Sequence, residues 1–419
     1  MTLPPGDEPH AAQAGAELTG DARLEQCTSD DPQGSTDASA STSESLSTES
    51  APSNTAALAL VPEEPPLFAN VFQPEPPPPV RIPHLGHVVL LAVYLLFSLI
   101  VSIVILRVAV HFRLFHVSTL QDTVNDIHYT LGSELILYLV AFAAAYFTFP
   151  RIWHKSFFAG LEWNGAAAKR HWLRLAGTGF VCFFVAMILN AFFMQEPTDA
   201  PIEKIFKEPG AAWLLFAFGI TVAPFFEESL FRGFILPAMC TASDWIAEKI
   251  NHDSPIGFGA SGRPRWPLRA NIASAAAVLS LPAALLVALL WRGGQFKAWI
   301  LVPYSVVFLA LILLLAMRKT HLRELARPID AAGYPLWSIP SIVVGSVFTS
   351  VPFAAMHAQQ TGDSVDAVLL LGCVSLALCA VRLVTRSLAA SVMVHSVYNF
   401  LLFSITLLFT HGFQHLDKI

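Results

Sequence analysis

Three ionisable side chains lie close together in an otherwise apolar stretch of this sequence. The stretch APFFEESLFRGF contains Glu227, Glu228 and Arg232. A charged side chain at the centre of a bilayer costs about 2.5–3.5 kcal/mol on insertion, so such groups need partners, a hydrated cavity, or both. On a helix, Glu228 and Arg232 can form an ion pair because residues four apart share a face. Glu227 is rotated by about 100° from Glu228, so it need not share the pair and is left free to react.

Two later apolar stretches each carry a histidine. SVPFAAMHAQQ places Phe353 and His357 four residues apart, and SVMVHSVYNFLL does the same for His395 and Asn399. Each pair therefore shares one helical face. Taken alone, a histidine at the end of an apolar helix is typical of an interfacial residue, and a His-to-Asn face is typical of an interhelical hydrogen bond.

Long apolar runs must position these residues, and a membrane-spanning helix needs about 20 such residues. The sequence predicts eight or nine spans, and hence an all-α, polytopic transmembrane helical bundle that occupies residues 86–410 of the chain. The runs lie near 86–110, 131–149, 174–194, 212–239, 271–291, 298–317, 338–357, 365–384 and 387–410.

Residues 1–80 have a different composition. They hold 13 of the 31 acidic residues but one of the 25 basic residues, and they are rich in Pro, Ser and Thr. Such a segment cannot bury enough apolar surface to offset the entropy of ordering. We therefore expect a disordered, acidic N-terminal tail.

The distribution of Lys and Arg predicts the orientation in the bilayer. With a cytoplasmic N-terminus and nine spans, the inside segments hold sixteen basic residues and the outside segments seven. Short cytoplasmic loops carry this excess of positive charge. We expect an integral membrane protein, in the plasma membrane, with its N-terminus in the cytoplasm and no nucleic-acid partner.

In this order, the patterns EExxxR, FxxxH and HxxxN on apolar helices resemble the CAAX prenyl protease and bacteriocin-processing family of intramembrane proteases, abbreviated CPBP. The resemblance covers a core of about residues 210–405. One departure is the spacing of 130 positions between Glu227 and His357, which is much longer than in many bacterial members. The extra length is interpreted as an insertion at about 241–335, with a polar loop and two apolar runs, which could reshape the entrance to a substrate cavity.

The resemblance implies hydrolysis of peptide bonds in a membrane-associated protein or peptide substrate. It implies Glu227 as the general base that activates water, with Glu228 held ionised by Arg232 as its support. His357 would orient the water, and His395 and Asn399 would donate hydrogen bonds to the oxyanion.

Metal use stays open at this point. Glu227, His357 and His395 are residue types that bind zinc, but HExxH spacing is absent. The family is described as metalloproteases, and a metal-free glutamate mechanism is also argued for it.

Two other classes of function are compatible with the sequence. One is a noncatalytic membrane scaffold or bacteriocin-immunity-type protein, in which the buried charges form a structural network. The other is a proton-coupled transporter, which inverted internal repeats would favour, and no clear repeat is seen.

The predicted spans also raise a conflict of depth. They place Glu227 and His395 near the middle of the membrane or toward the cytoplasm, and His357 at the outer end of its helix. At those depths the three residues cannot share a site, unless the helix that holds His357 starts later or a neighbouring span is re-entrant.

Overall fold

The computed structural model of the protein describes residues 82–112, 126–193, 210–252, 255–292, 329–330, 333–358, 360 and 365–409. In this part of the chain, eight helices are long and apolar enough to cross a membrane. The predicted all-α, polytopic architecture is thereby confirmed. The predicted tail at 1–80 and the predicted span at 298–317 lie outside the described residues.

The helices differ in length from single turns to seven turns or more. They are α1 (Leu85–His111), α2 (Ile127–Trp153), α3 (Phe157–Gly160), α4 (Gly165–Arg170), α5 (Trp172–Phe193), α6 (Ala211–Glu228), a π-helical segment (Ser229–Ile235), α7 (Leu236–Ile250), α8 (Leu268–Arg292), α9 (Ile339–Met356), α10 (Val365–Thr385) and α11 (Leu388–Phe409). Two short strands, β1 (Gly257–Phe258) and β2 (Pro264–Arg265), pair antiparallel between α7 and α8.

The fourth span is longer than predicted and is irregular in its middle. α6, the π-helical segment and α7 form one apolar helix of 39 residues that ends at Ile250 rather than near 239. Pro237 lies just after the π-helical segment and has no N–H to donate to the preceding turn. π turns of this kind are frequent at functional sites, and this one directly follows Glu228.

α9 packs antiparallel against the fourth span. The Ser341 hydroxyl donates to Asp244 in α7, and the Phe353 ring, three turns later in α9, meets Phe231 at 5.3 Å between centroids. Later residues of α9 therefore contact earlier residues of the fourth span. The C-terminal end of α9 arrives beside the Glu227–Glu228 pair.

α11 also runs antiparallel to the fourth span. Ser391 near its start contacts Glu228, and Asn399, two turns later, contacts Gly219 in α6. The approach is close, since a Cβ added at Gly219 would lie 2.7 Å from the Phe403 ring. The first half of α11 is thereby held level with the glutamates.

An aromatic cluster supports the π-helical segment from the other side. The Phe149 ring stacks on Trp153 at 4.7 Å, and both lie against Phe234. Trp153 also covers Gly160, where an added Cβ would lie 2.2 Å from its ring. This packing fixes the turn that carries Arg232.

The described part of the predicted insertion packs at the α7 end of the fourth span. The Trp266 indole N–H, before α8, donates to Asp244 at 3.0 Å, and Arg263 donates to the Trp337 carbonyl at 2.8 Å. Asp244 is fully buried and accepts from the Trp266 indole N–H, the Ser338 backbone N–H and the Ser341 hydroxyl. These residues brace the start of α9 and lie far along the helix from Glu227.

Candidate active site

Glu228 and Arg232 form the ion pair that their spacing predicts. Arg232 Nη1 donates to Glu228 Oε1 at 2.9 Å, and both side chains are 0% exposed. Arg232 Nη2 also donates to the carbonyl of Ser375 at 2.9 Å and to its hydroxyl at 2.7 Å. The Ser391 hydroxyl donates to Glu228 Oε2. The pair is thus tied to α10 and α11 as well as to its own helix.

Phe353 connects the ion pair to the first histidine. Its ring centroid lies 4.5 Å from the guanidinium carbon of Arg232, within the range of a cation–π contact. The same ring lies 4.9 Å from the His357 ring, one turn further along α9. Phe353 therefore separates the charged pair from His357 and packs against both.

Glu227 faces the two histidines. His357 Nε2 lies 3.9 Å from Glu227 Oε1, and His395 Nε2 lies 3.8 Å from Glu227 Oε2. These gaps are too long for direct hydrogen bonds and are of a size that a water molecule can bridge. The carboxylate of Glu227 thus has one imidazole opposite each of its oxygens.

The conflict of depth is absent from the structure, in which both histidines lie beside Glu227, and neither a later start of α9 nor a re-entrant span is needed to resolve it. His357 does lie at the end of its helix, as its C-cap residue, and that helix starts at Ile339 rather than later. The error lay in the fourth span, which was predicted to stop near 239. Because it continues to Ile250, α9 pairs with the extension and delivers His357 to the level of Glu227.

In each of the two histidines, the hydrogen bond at Nδ1 determines that this ring nitrogen carries a proton. His357 Nδ1 lies 2.8 Å from the Phe353 carbonyl, which can only accept, so this nitrogen carries a proton. His395 Nδ1 lies 2.9 Å from Glu228 Oε1 and donates to the carboxylate. In the neutral form of each ring, Nε2 is then an acceptor directed toward Glu227.

Asn399 lies one turn beyond His395, with its side chain turned to α6. Its Nδ2 donates to the Gly219 carbonyl at 2.8 Å. The interhelical hydrogen bond that the His-to-Asn face suggested is therefore present at Asn399. This bond uses one N–H of the amide and leaves the second available for a ligand.

A further acidic side chain near the site was not singled out from the sequence. The Tyr138 hydroxyl in α2 donates to Glu134 Oε1 at 2.6 Å, and the Tyr138 ring stacks on Phe226 at 4.8 Å. Glu134 interacts electrostatically with both Glu227 and His357. Its position inside an apolar run was a signal of the same kind as the two glutamates at the site.

The residue types at the site match those of zinc proteins, but their arrangement in the structure does not form a metal group. Within the described part of the chain, no three His, Cys, Asp or Glu side chains are grouped so that they could hold a metal ion. We therefore derive no catalytic step through zinc. The tentative assignment of Glu227, His357 and His395 as metal ligands stays a prediction.

Residues 209–401 match the family model of the type II CAAX prenyl endopeptidases, described as Rce1-like. The resemblance to CAAX proteases is thereby confirmed, and the matched stretch contains all six candidate site residues. It supports a CAAX-type protease that is an integral membrane protein. No curated protein and no solved structure matches the chain.

Proposed function

We propose that this protein is an intramembrane endopeptidase in which Glu227 activates the attacking water. The observation that carries the proposal is that the two adjacent carboxylates have different surroundings. Glu228 is engaged by Arg232, Ser391 and His395. Glu227 has no such bonds among the described residues and faces the two imidazole Nε2 atoms.

The first step is attack of water on the scissile carbonyl. A water between Glu227 and His357 gives one proton to the Glu227 carboxylate, while His357 Nε2 accepts a hydrogen bond and orients the oxygen. The oxygen bonds to the carbonyl carbon, and the carbonyl oxygen becomes the oxyanion. Protonated Glu227 then passes its proton to the leaving amine, the C–N bond breaks, and Glu227 returns to its starting form.

The oxyanion needs hydrogen-bond donors. The unused N–H of Asn399 is one candidate. His395 can serve as a second only with both ring nitrogens protonated, since Nδ1 already donates to Glu228. In that form it holds Glu228 with one N–H and the oxyanion with the other. Removing one such donor typically costs about 2.7–4 kcal/mol of transition-state stabilisation.

The proposed substrates are proteins or peptides associated with the bilayer. The site lies between membrane-spanning helices, beside the middle of a 39-residue helix, so a substrate must enter from or along the membrane. We further propose a cytoplasmic N-terminus, which the excess of Lys and Arg in alternate connecting segments supports. The plasma membrane is proposed as the location.

The test compares the N-termini of membrane proteins in cells that express wild type, Glu227→Gln or Glu248→Gln at matched levels. Glu248→Gln is the matched control, because it makes the same substitution in α7 outside the site. New termini should appear with wild type and with Glu248→Gln and be absent with Glu227→Gln. This design needs no guess about the substrate, and the cleaved sequences identify it.

Identical profiles for the folded wild type and Glu227→Gln would refute the proposal. The buried glutamates would then be a structural network, as in a scaffold, or a proton-coupling site, as in a transporter. Uptake of a proton-coupled solute into vesicles that is lost in Glu227→Gln would identify the second case.

A further inference from the structure

Arg232 also lines a cavity whose walls include neither Glu227 nor Glu228. It has a volume of about 60 Å³ and is lined by arginines from four segments of the chain. These are Arg232, Arg263, Arg382 and Arg386. Four guanidinium groups around one cavity are costly unless each has a partner of opposite charge.

Three of these arginines have such partners. Arg232 pairs with Glu228, Arg382 Nη2 lies 2.7 Å from Glu162 Oε2, and Arg386 pairs with Asp330. The fourth, Arg263, donates to the Trp337 carbonyl at 2.8 Å and has no carboxylate partner among the described residues. The group therefore carries more positive than negative charge.

One of the arginines that line the cavity also has a donor without an acceptor. Arg382 Nε is buried and has no hydrogen-bond partner in the part of the chain that the structure describes. Arg382 is only 6% exposed, so bulk water does not satisfy it. Buried polar groups are normally hydrogen-bonded, and a charged group without its acceptors is expensive. An anionic ligand in the cavity would supply both charge and acceptors.

The size and lining of the cavity limit the ligand. A single water needs about 10–15 Å³ of cavity volume measured in this way, so the cavity has room for about four to six waters or for a small group such as a phosphate in their place. Tyr334 lines the cavity, and its ring lies 4.7 Å from the guanidinium carbon of Arg386. The remaining wall is apolar and includes Leu236, Trp337 and Leu383.

The cavity lies at the end of the bundle where several connecting segments meet. Glu162 follows α3, Arg263 lies between β1 and β2, Tyr334 precedes α9, and Arg386 lies between α10 and α11. Basic connecting segments predict the cytoplasmic side. The anionic lipids of that leaflet are bound by basic pockets between transmembrane helices.

We propose that this cavity binds a phosphate group, with Arg263, Arg382 and Arg386 as its principal donors. Guanidinium forks match phosphate oxygens and can engage several of them from different directions. The phosphate can belong to an anionic lipid, whose glycerol end would lie against the apolar wall, or to a soluble anion. Binding here is separate from peptide hydrolysis and does not depend on it.

The test measures the melting temperature of the purified full-length protein in neutral detergent. Short-chain phosphatidic acid, phosphatidylcholine of the same chain length and inorganic phosphate are titrated separately. Phosphatidic acid should raise the melting temperature saturably, and phosphatidylcholine should not. Stabilisation by phosphatidic acid alone identifies a lipid headgroup, whereas equal stabilisation by inorganic phosphate identifies a soluble phosphate.

Variants connect the response to the cavity. Arg263→Gln removes the arginine that lacks a carboxylate partner, and should weaken half-saturation at least about tenfold, since hydrogen bonds to charged groups are worth about 1.5–3 kcal/mol. Arg265→Gln is the matched control, because Arg265 is exposed two residues away and does not line the cavity. It should respond like wild type.

Tyr334→Phe provides a second test that leaves every charge in place. It should weaken half-saturation severalfold even if Arg263→Gln folds poorly. The proposal is overturned if neither phosphate compound stabilises the wild type. It is equally overturned if folded Arg263→Gln and Tyr334→Phe both bind with the wild-type half-saturation.

Discussion

Replacing Arg232 by methionine should strongly destabilise the protein. Methionine retains a long side chain and is apolar, so the change removes the guanidinium that neutralises Glu228 at 2.9 Å. Both side chains are 0% exposed, so the remaining carboxylate would stay out of water. Only the Ser391 and His395 contacts to Glu228 would remain. Breaking a buried pair by removing one partner costs about 3–5 kcal/mol, and we expect a loss of this size.

The double variant separates the charge from the packing. Glu228→Gln combined with Arg232→Met removes both charges and leaves uncharged side chains of similar volume. Because an uncharged replacement of a buried pair is often tolerated, the double variant should be more stable than Arg232→Met alone by at least about 2 kcal/mol. The Ser375 contacts of Arg232 are lost in both, so they cancel in this comparison.

The assay is reversible unfolding in mixed micelles with increasing mole fraction of SDS, followed by circular dichroism. Arg265→Met serves as the control for loss of an exposed arginine and should unfold like wild type. A loss below about 1 kcal/mol for Arg232→Met would show that the pair behaves like a solvent-exposed one. Strictly additive losses in the double variant would also refute the reasoning.

Three further predictions test packing, capping and metal use. Gly345→Ala should cost about 1–3 kcal/mol of unfolding free energy, because the new Cβ would lie 2.5 Å from the Cys240 sulfur and 3.0 Å from its backbone nitrogen. Gly372→Ala, where an added Cβ meets nothing within 4 Å, should be neutral or stabilising by up to about 1 kcal/mol in the same unfolding assay. Burial lowers the pKa of His84 from its ordinary value of 6.5, and its Nδ1 accepts the cap bond of α1. Since the unfolded chain then binds the proton more readily, the contribution of this cap should be complete above pH 6.5 and fall as the pH falls below it. Melting curves should show this dependence in wild type and lose it in His84→Asn. Finally, the metal-free mechanism proposed for Glu227 predicts that the purified protein contains substoichiometric zinc and that 1,10-phenanthroline leaves proteolysis unchanged; one zinc per chain together with inhibition would instead support Glu227, His357 and His395 as metal ligands.

The sequence predicts the local geometry of the site well because that geometry depends on helical spacing. The Glu228–Arg232 pair and the Phe353–His357 contact each join residues one turn apart. Any helix with these residues would present them on one face. The separation of Glu227 from the ion pair follows from the same periodicity.

The depth of the site could not be predicted in this way. Ser243 and Asp244 are polar and lie beyond the predicted end of the fourth span, yet both are buried within the continuing helix. Their partners are distant in sequence, since Ser341 donates to Asp244 across 97 positions. Hydropathy along one segment contains no information about such partners. The level at which α9 meets the fourth span therefore became visible only in the structure.

Ser391 and Ser375 were missed for a related reason. Each bonds to the ion pair from a different helix, at separations of 163 and 143 positions. Ser391 had a weak signal, because it lies one turn before His395 on the same face. Ser375 had none, since a single serine in an apolar helix is usually satisfied by the backbone of its own helix.

Two adjacent glutamates in one helix can differ in reactivity only if their surroundings differ, and the packing of three helices supplies that difference. α10 contributes Ser375, which holds Arg232, and α11 contributes Ser391, which holds Glu228. These contacts enclose Glu228 and Arg232 in a buried hydrogen-bond network on one side of the fourth span. α9 ends at Met356, and its C-cap residue His357 lies with its Nε2 3.9 Å from Glu227 Oε1. The end of α9 thus places beside Glu227, outside the buried network of Glu228, an imidazole that can orient a water.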